Sequence, residues 1–291
     1  MNKLQEFICK SDDNETIPQE LIHSGKVTLP KAHMNSKAIT NLAILLKEQR
    51  KDIFCLIPFC TTVEAEAMGA IVNLGDENFG PRIKNYRFSS LEELESMKNI
   101  DFTTGRIKEV LESIRTLNNS GETPCLKVCG PFTILSCLID PKVLFKALRK
   151  NKDRVQRVIR NIESNLVNYI LEGMKMGCKI ISYSDPAATL DIIGPKVYSE
   201  LSGNITCNIL KTLESLESNC IIHICGKTSL SLAKSNLISL ESIKYDNSLT
   251  YGEAIKKIID EENSFKIIGH NCVKTFPHKL NNSVIWKIEL N

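Results

Sequence analysis

The 291-residue chain has no apolar run approaching the roughly 20 residues that cross a bilayer. Its first residues, Met1 to Asp13, are polar and mixed in charge, and lack the basic-then-apolar order of a signal peptide. Both absences predict a cytoplasmic protein with no membrane partner. An excess of one charge is also missing: 37 Lys and Arg stand against 34 Asp and Glu, a net charge of +3. Nucleic-acid-binding proteins concentrate basic residues into a patch, so no nucleic-acid partner is expected. No Gly-x-Gly-x-x-Gly follows the first apolar run and no Walker loop is present, which weighs against nucleotide-binding α/β folds. Low-complexity tracts, Gly/Ser linkers and internal repeats are lacking.

Cysteine, by contrast, is abundant. The eleven cysteines are odd in number, and their spacing does not suggest a disulfide framework. Most, such as Cys55, Cys129, Cys137 and Cys178, sit in apolar company and read as small buried hydrophobes. In a reducing compartment, those paired with histidine read as metal ligands or nucleophiles.

From Asp52 onward, short apolar runs alternate with helical patterns. The runs Ile53–Pro58, Cys125–Gly130, Lys179–Ser184, Cys220–Cys225, Phe265–Gly269 and Val284–Leu290 read as strands. Helices are expected over 36–49, 62–74, 90–97 and 106–117, after Asp140-Pro141, over a long stretch through Val155 and Ile170, and after Pro195. Two weaker strands, near Arg82–Tyr86 and Ser242–Tyr245, bring the count to eight units. The expected architecture is α/β: a (β/α)8 TIM barrel over residues 51–291, preceded by a helical N-terminal segment over 1–50.

The sharpest local feature is His223-Ile224-Cys225. Residues i and i+2 of a strand point to one side, so His223 and Cys225 can share a site at a strand's C-terminal end. Gly269-His270-Asn271-Cys272 also follows an apolar run, and brings Cys272 to a second strand end. One imidazole and two thiolates suit Zn2+ with a fourth position open; a partly buried histidine with two inert thiols fits the same letters. Other strand ends carry Tyr183 and Asp185, where Asp185 reads as a site carboxylate or as a cap before Pro186. Gly130-Pro131-Phe132-Thr133 reads as a helix start able to hold an anion, or as a plain turn. Asp246 reads as a ligand near the metal or as an exposed loop residue, and His270 as a support to the metal ligands or as a loop histidine.

The stretches IPFCTTVEAEAMGA, VCGPFTILSCLIDP, ISYSDPAATLDIIGPKVYSE, HICGKTS and GHNCVKT resemble the uroporphyrinogen decarboxylase superfamily, and within it the methylcobamide:coenzyme M methyltransferase branch. The resemblance spans about residues 53 to 290 in order. It implies a barrel with Zn2+ at its mouth, held by His223, Cys225 and Cys272 as metal ligands and catalytic residues, with Asp185-Pro186 near the cobamide or substrate cavity. Tyr183, Asp185, Asp246, Pro131 and Thr133 are the expected substrate or cobamide contacts. The implied activity is a methyltransferase moving a methyl group between a methylcobamide and a small molecule, foremost a thiol activated as zinc thiolate. The chain has no obvious cobalamin-binding module, so the methylcobamide would come on a partner corrinoid protein. Two thiolates cancel the charge of the zinc ion, so an added substrate thiolate would keep much of its nucleophilicity. The demethylating half-reaction, with Co(I) taking the methyl group, fits the same site. Decarboxylation ranks lower, because the Arg-rich N-terminal motif of the true decarboxylases is absent. A non-catalytic zinc- or corrinoid-binding barrel closed by Asp246, and a metal-free cysteine-nucleophile enzyme, complete the alternatives.

Overall fold

The computed structural model describes residues 17–261 and 265–291; the polar stretch Met1–Asp13 lies outside the described residues. Short α1 (Gln19–His23) precedes α2 (Ser36–Arg50). Asn35 starts α2 by accepting from the Ala38 N–H, and Lys51 in the left-handed region ends it. Strand β1 (Cys55–Ile57) leads to α3 (Val63–Ala67) and to the strands β2 (Ile71–Asn73) and β3 (Arg82–Asn85). Then follow α4 (Leu91–Glu95), α5 (Gly105–Asn119), β4 (Pro124–Cys129), α6 (Pro131–Leu138), α7 (Pro141–Lys150), α8 (Lys152–Lys175) and β5 (Ile180–Ser184). The last part holds α9 (Leu190–Tyr198), a π-helical turn at Ser199–Gly203, α10 (Asn204–Glu214), β6 (Ile221–Cys225), α11 (Gly226–Lys234), β7 (Ile238–Lys244), α12 (Tyr251–Asp260), β8 (Ile267–Asn271) and β9 (Val284–Leu290).

The fold class is α/β with a mostly parallel sheet, as the alternation of strand and helix patterns predicts. Strands β1, β4, β5, β6 and β8 lie side by side and parallel. Their residues are buried on both faces, which is why the sequence shows continuous apolar runs and not alternation.

Three elements depart from an eight-unit barrel. The helix expected over 62–74 stops at Ala67, because Gly69 takes φ 106° and turns the chain into β2. The strand expected near Arg82–Tyr86 forms as β3, but pairs antiparallel with β2 in a separate hairpin. The strand expected near Ser242–Tyr245 forms as β7, yet does not lie between β6 and β8. Instead β9 runs antiparallel beside β8, and β7 pairs with β9 at the sheet's edge. The reversal follows from the β8–β9 connection, which carries one turn of 3-10 helix (Val273–Thr275) and no covering α-helix. Among the described residues no ladder joins β1 to β7, so the sheet order ends at those two strands.

The two faces of the sheet are covered differently. One face, with Ile57, Leu126, Ile181, Ile222 and Ile267, packs into the main core with apolar side chains of α2, α5, α8, α10 and α11. The opposite face, with Cys125, Ile180, Ile221, Ile268 and Ile285, is covered by α12 through Tyr251, Ala254, Ile255, Ile258 and Ile259, and by Phe276. In a closed barrel every helix lies outside; here α12 lies on the face that a barrel would turn inward. Ile255 is fully buried under this helix. Ile255→Ala is therefore expected to lower unfolding free energy by about 2–5 kcal/mol. Chemical denaturation checks it, and a loss below about 0.5 kcal/mol would mean that α12 does not pack on the sheet in solution.

Candidate active site

Strand register builds the site from the sheet outward. Lys127 on β4 pairs with Ser182 on β5, Ser182 with His223 on β6, and His223 with Ile268 on β8. Cys225 lies two residues beyond His223 on the same face and is half-buried. His223 is fully buried beneath α12. Its Nε2 lies 3.1 Å from the Tyr251 hydroxyl, and its ring packs edge-on against Phe276 at 5.3 Å between centroids. Burial holds the imidazole neutral, with its pKa lowered to about 3. Its Nδ1 is buried without a hydrogen-bond partner. A dry nitrogen of this kind is costly unless something binds it.

A β-bulge decides what β8 adds. Gly269 pairs with Ile224 and Asn271 with Cys225, leaving His270 as an extra residue with φ 66°. His270 therefore turns toward α11, where its Nδ1 meets the Ser229 hydroxyl at 3.2 Å and its ring meets Trp286. Asn271 turns toward α12 and hydrogen-bonds Tyr251. Cys272 follows β8 and is half-buried. The fold thus sets His223 and Cys225 on one face, and Cys272 just past the end of the neighbouring strand. Among the described residues, however, no three His, Cys, Asp or Glu side chains are gathered closely enough to hold a metal ion. The donor types suit zinc, since a buried imidazole nitrogen without a hydrogen-bond partner and two thiols outside any disulfide are present.

The helix start at Gly130–Thr133 is occupied from within the chain, by the carboxyl group of Asp185. This carboxylate is fully buried. Oδ1 accepts from the Thr133 N–H at 2.8 Å and the Thr133 hydroxyl at 2.6 Å; Oδ2 accepts from the Ser202 hydroxyl at 2.8 Å and the Phe132 N–H at 3.3 Å. The Asp185 N–H donates to the Thr228 hydroxyl on α11. Burial raises the Asp185 pKa, against the lowering by Thr133 and Ser202. Gly130 must be glycine, because a Cβ there would stand 2.4 Å from the Asp185 Cβ. Pro131 occupies the first helical position. Tyr183 faces the main core, its hydroxyl 3.0 Å from Thr206 on α10. Asp246 is exposed between β7 and α12, and accepts from the Ser248 N–H in a local turn that lowers its pKa.

A family profile described as Uroporphyrinogen decarboxylase (URO-D) matches residues 14–270. The chain belongs to the uroporphyrinogen decarboxylase family. It is 26% identical over 220 residues to the methylcobamide:CoM methyltransferase MtbA of Methanosarcina mazei, a match covering 75% of this chain and 65% of that relative. It is 25% identical over 253 residues to the methylcobamide:CoM methyltransferase MtaA of Methanosarcina barkeri, covering 83% of this chain and 71% of the relative. A solved structure of a methyltransferase from Methanosarcina mazei superposes with a TM-score of 0.64 at 24% identity, over 74% of this chain and 63% of that one, and bears on the fold alone. The chain thus spans slightly under two thirds of the length of its Methanosarcina mazei relatives.

Two buried residues, Tyr251 and Glu64, were not singled out from the sequence. Tyr251 opens α12 just after Thr250, in a Thr250–Glu253 capping box that a scan for helix starts would have found. Glu64 on α3 carried no such signal. It is 1% exposed; one carboxyl oxygen accepts from the Cys129 N–H at the end of β4, and the other has no partner. Burial raises its pKa from 4.5 to about 7, against the lowering by the Cys129 N–H. A raised carboxyl pKa favours the fold below the unfolded pKa, and that contribution is lost as pH climbs through the folded value. Relative to wild type, Glu64→Gln should therefore gain about 3 kcal/mol between pH 4.5 and 8. Denaturation curves of both proteins at the two pH values check this; parallel pH dependence would show that Glu64 has the same pKa folded as unfolded. Asp185→Ala strands four donors and should cost about 3 kcal/mol or more, with Asp185→Asn less damaging.

Proposed function

We propose that the chain is a methyltransferase that works with a methylcobamide carried on a partner corrinoid protein. It transfers the methyl group to or from a small molecule, and a thiol is the first acceptor to test. The observation that carries this reading is the His223 ring: buried, neutral, unpartnered at Nδ1, and on the same face of β6 as Cys225. The names of the relatives, methylcobamide:CoM methyltransferases, support the same reaction class.

In this proposal His223 through Nδ1, with Cys225 and Cys272 as thiolates, would hold Zn2+ and leave a fourth position open. Bound there, zinc would supply acidity that keeps an acceptor thiol deprotonated at neutral pH. The Tyr251 hydroxyl orients the imidazole through Nε2 and selects Nδ1 as the donating nitrogen. Tyr251 and Phe276 shield the ring from water on the α12 side. Asp185 fixes the end of β5 against the start of α6, so the neighbouring strand ends keep their spacing. Asp246, Pro131 and Thr133 remain proposed neighbours of the substrate or cobamide, whereas the Tyr183 side chain is taken up in the main core, and decarboxylation is not favoured.

The test is elemental zinc analysis of reconstituted wild type, Cys225→Ala and Cys272→Ala, with methylcobalamin demethylation by small thiols assayed on the same samples. About one zinc per chain, lost together with activity in either variant, is expected. Zinc without turnover would leave a binding role or a different acceptor, and no zinc in wild type would overturn the metal assignment. Tyr251→Phe should retain the fold and weaken zinc affinity about 10- to 100-fold in a chelator competition. Unchanged affinity would remove Tyr251 from the metal's surroundings.

A further inference from the structure

A cavity lined by none of these residues serves no step proposed above. It has a volume of about 620 Å³, within the range of small-molecule sites, and is walled by the end of α3, the segment before α4, the α4–α5 connection and the start of α5. Its charged lining is Arg87, Lys98, Arg106, Glu66 and Asp101.

Arg106 is built into this cavity. Its side chain is only 6% exposed, and Glu66, Cys60 and Thr62 hold it through Nε, Nη1 and Nη2. Those bonds use three of the five guanidinium N–H groups, so two remain. Both carboxylates are already engaged: Glu66 with Arg106, and Asp101 with the backbone N–H and hydroxyl of Thr103. The rim cations Arg87 and Lys98 are exposed and make no salt bridge among the described residues. Met68, Phe88 and Ile107 add apolar surface. The Arg87 side chain lies beside Gly69, within ordinary contact distance of where a Cβ would stand.

We infer that this cavity is a binding site for a small organic oxyanion, a carboxylate or phosphate ester. The ligand's charged end would lie between Arg87, Lys98 and Arg106, and its body against Met68, Phe88 and Ile107. The positive groups outnumber the carboxylates, and the carboxylates are spent on local bonds, so the net demand of the cavity is for an anion. This site is separate from the methyl-transfer reading and stands or falls without it.

The test is a backbone-amide NMR titration of the full chain with inorganic phosphate, with succinate, and with glycerol as a neutral control. The variants are Arg87→Ala/Lys98→Ala, whose exposed side chains leave the core intact, and Cys225→Ala. Saturable shifts at the amides of Gly69, Lys98 and Gly105 are expected with phosphate or succinate and not with glycerol. The double variant should bind at least about tenfold more weakly, and Cys225→Ala should bind like wild type. Response to one anion and not the other identifies phosphate or carboxylate as the recognised group. Absence of saturable shifts at these amides, or equal affinity in the double variant, overturns the proposal.

Discussion

One buried carboxylate organises the middle of the molecule. Asp185 is removed from water and held entirely by neutral donors, two from the backbone of α6 and two from hydroxyls. A buried carboxyl group is tolerated only when its oxygens find donors. The start of α6 supplies two N–H groups, and Ser202 in the π-helical turn supplies a third direction. The peptide N–H of the same residue reaches Thr228 on α11. Through Asp185, therefore, β5, α6, the turn before α10 and α11 are fixed relative to one another, and the ends of the parallel strands inherit that order.

How much of this was legible in the letters depends on sequence distance. The parallel strands were legible because strands buried on both faces must be apolar throughout, as Cys220–Cys225 and Lys179–Ser184 are. Helix starts such as Asp140-Pro141 were legible because capping is a local contract between a side chain and N–H groups two or three residues on. The acceptor at the start of α6 was legible as a need and not as an identity, since Thr133 and Asp185 lie 52 residues apart. The reversal of β9 and the hairpin of β2 and β3 were hidden for a related reason. An apolar run states that a strand is buried, but not which neighbour it pairs with or in which direction.

The candidate metal ligands show the same division. That His223 and Cys225 share a face follows from strand geometry alone. That the face lies beneath α12, with Tyr251 bonded to His223, depends on a helix more than twenty residues later whose side of the sheet no local pattern specifies. The result is an imidazole that is prepared as a neutral donor and kept dry. The packing sets what state the side chain is in.

The bulge at His270 has a consequence for reading related chains. A strand distributes its side chains by parity, odd positions to one side and even to the other. One inserted residue exchanges the parity of everything after it, so Gly269 and His270 address the α11 side in succession and Asn271 addresses α12. Two chains carrying the same letters Gly-His-Asn-Cys at this strand end would present opposite side chains to the same neighbours if only one of them bulged. Identity of letters at 269–272 is therefore not identity of chemistry; the backbone angle of one histidine decides which side chains each face of the sheet presents.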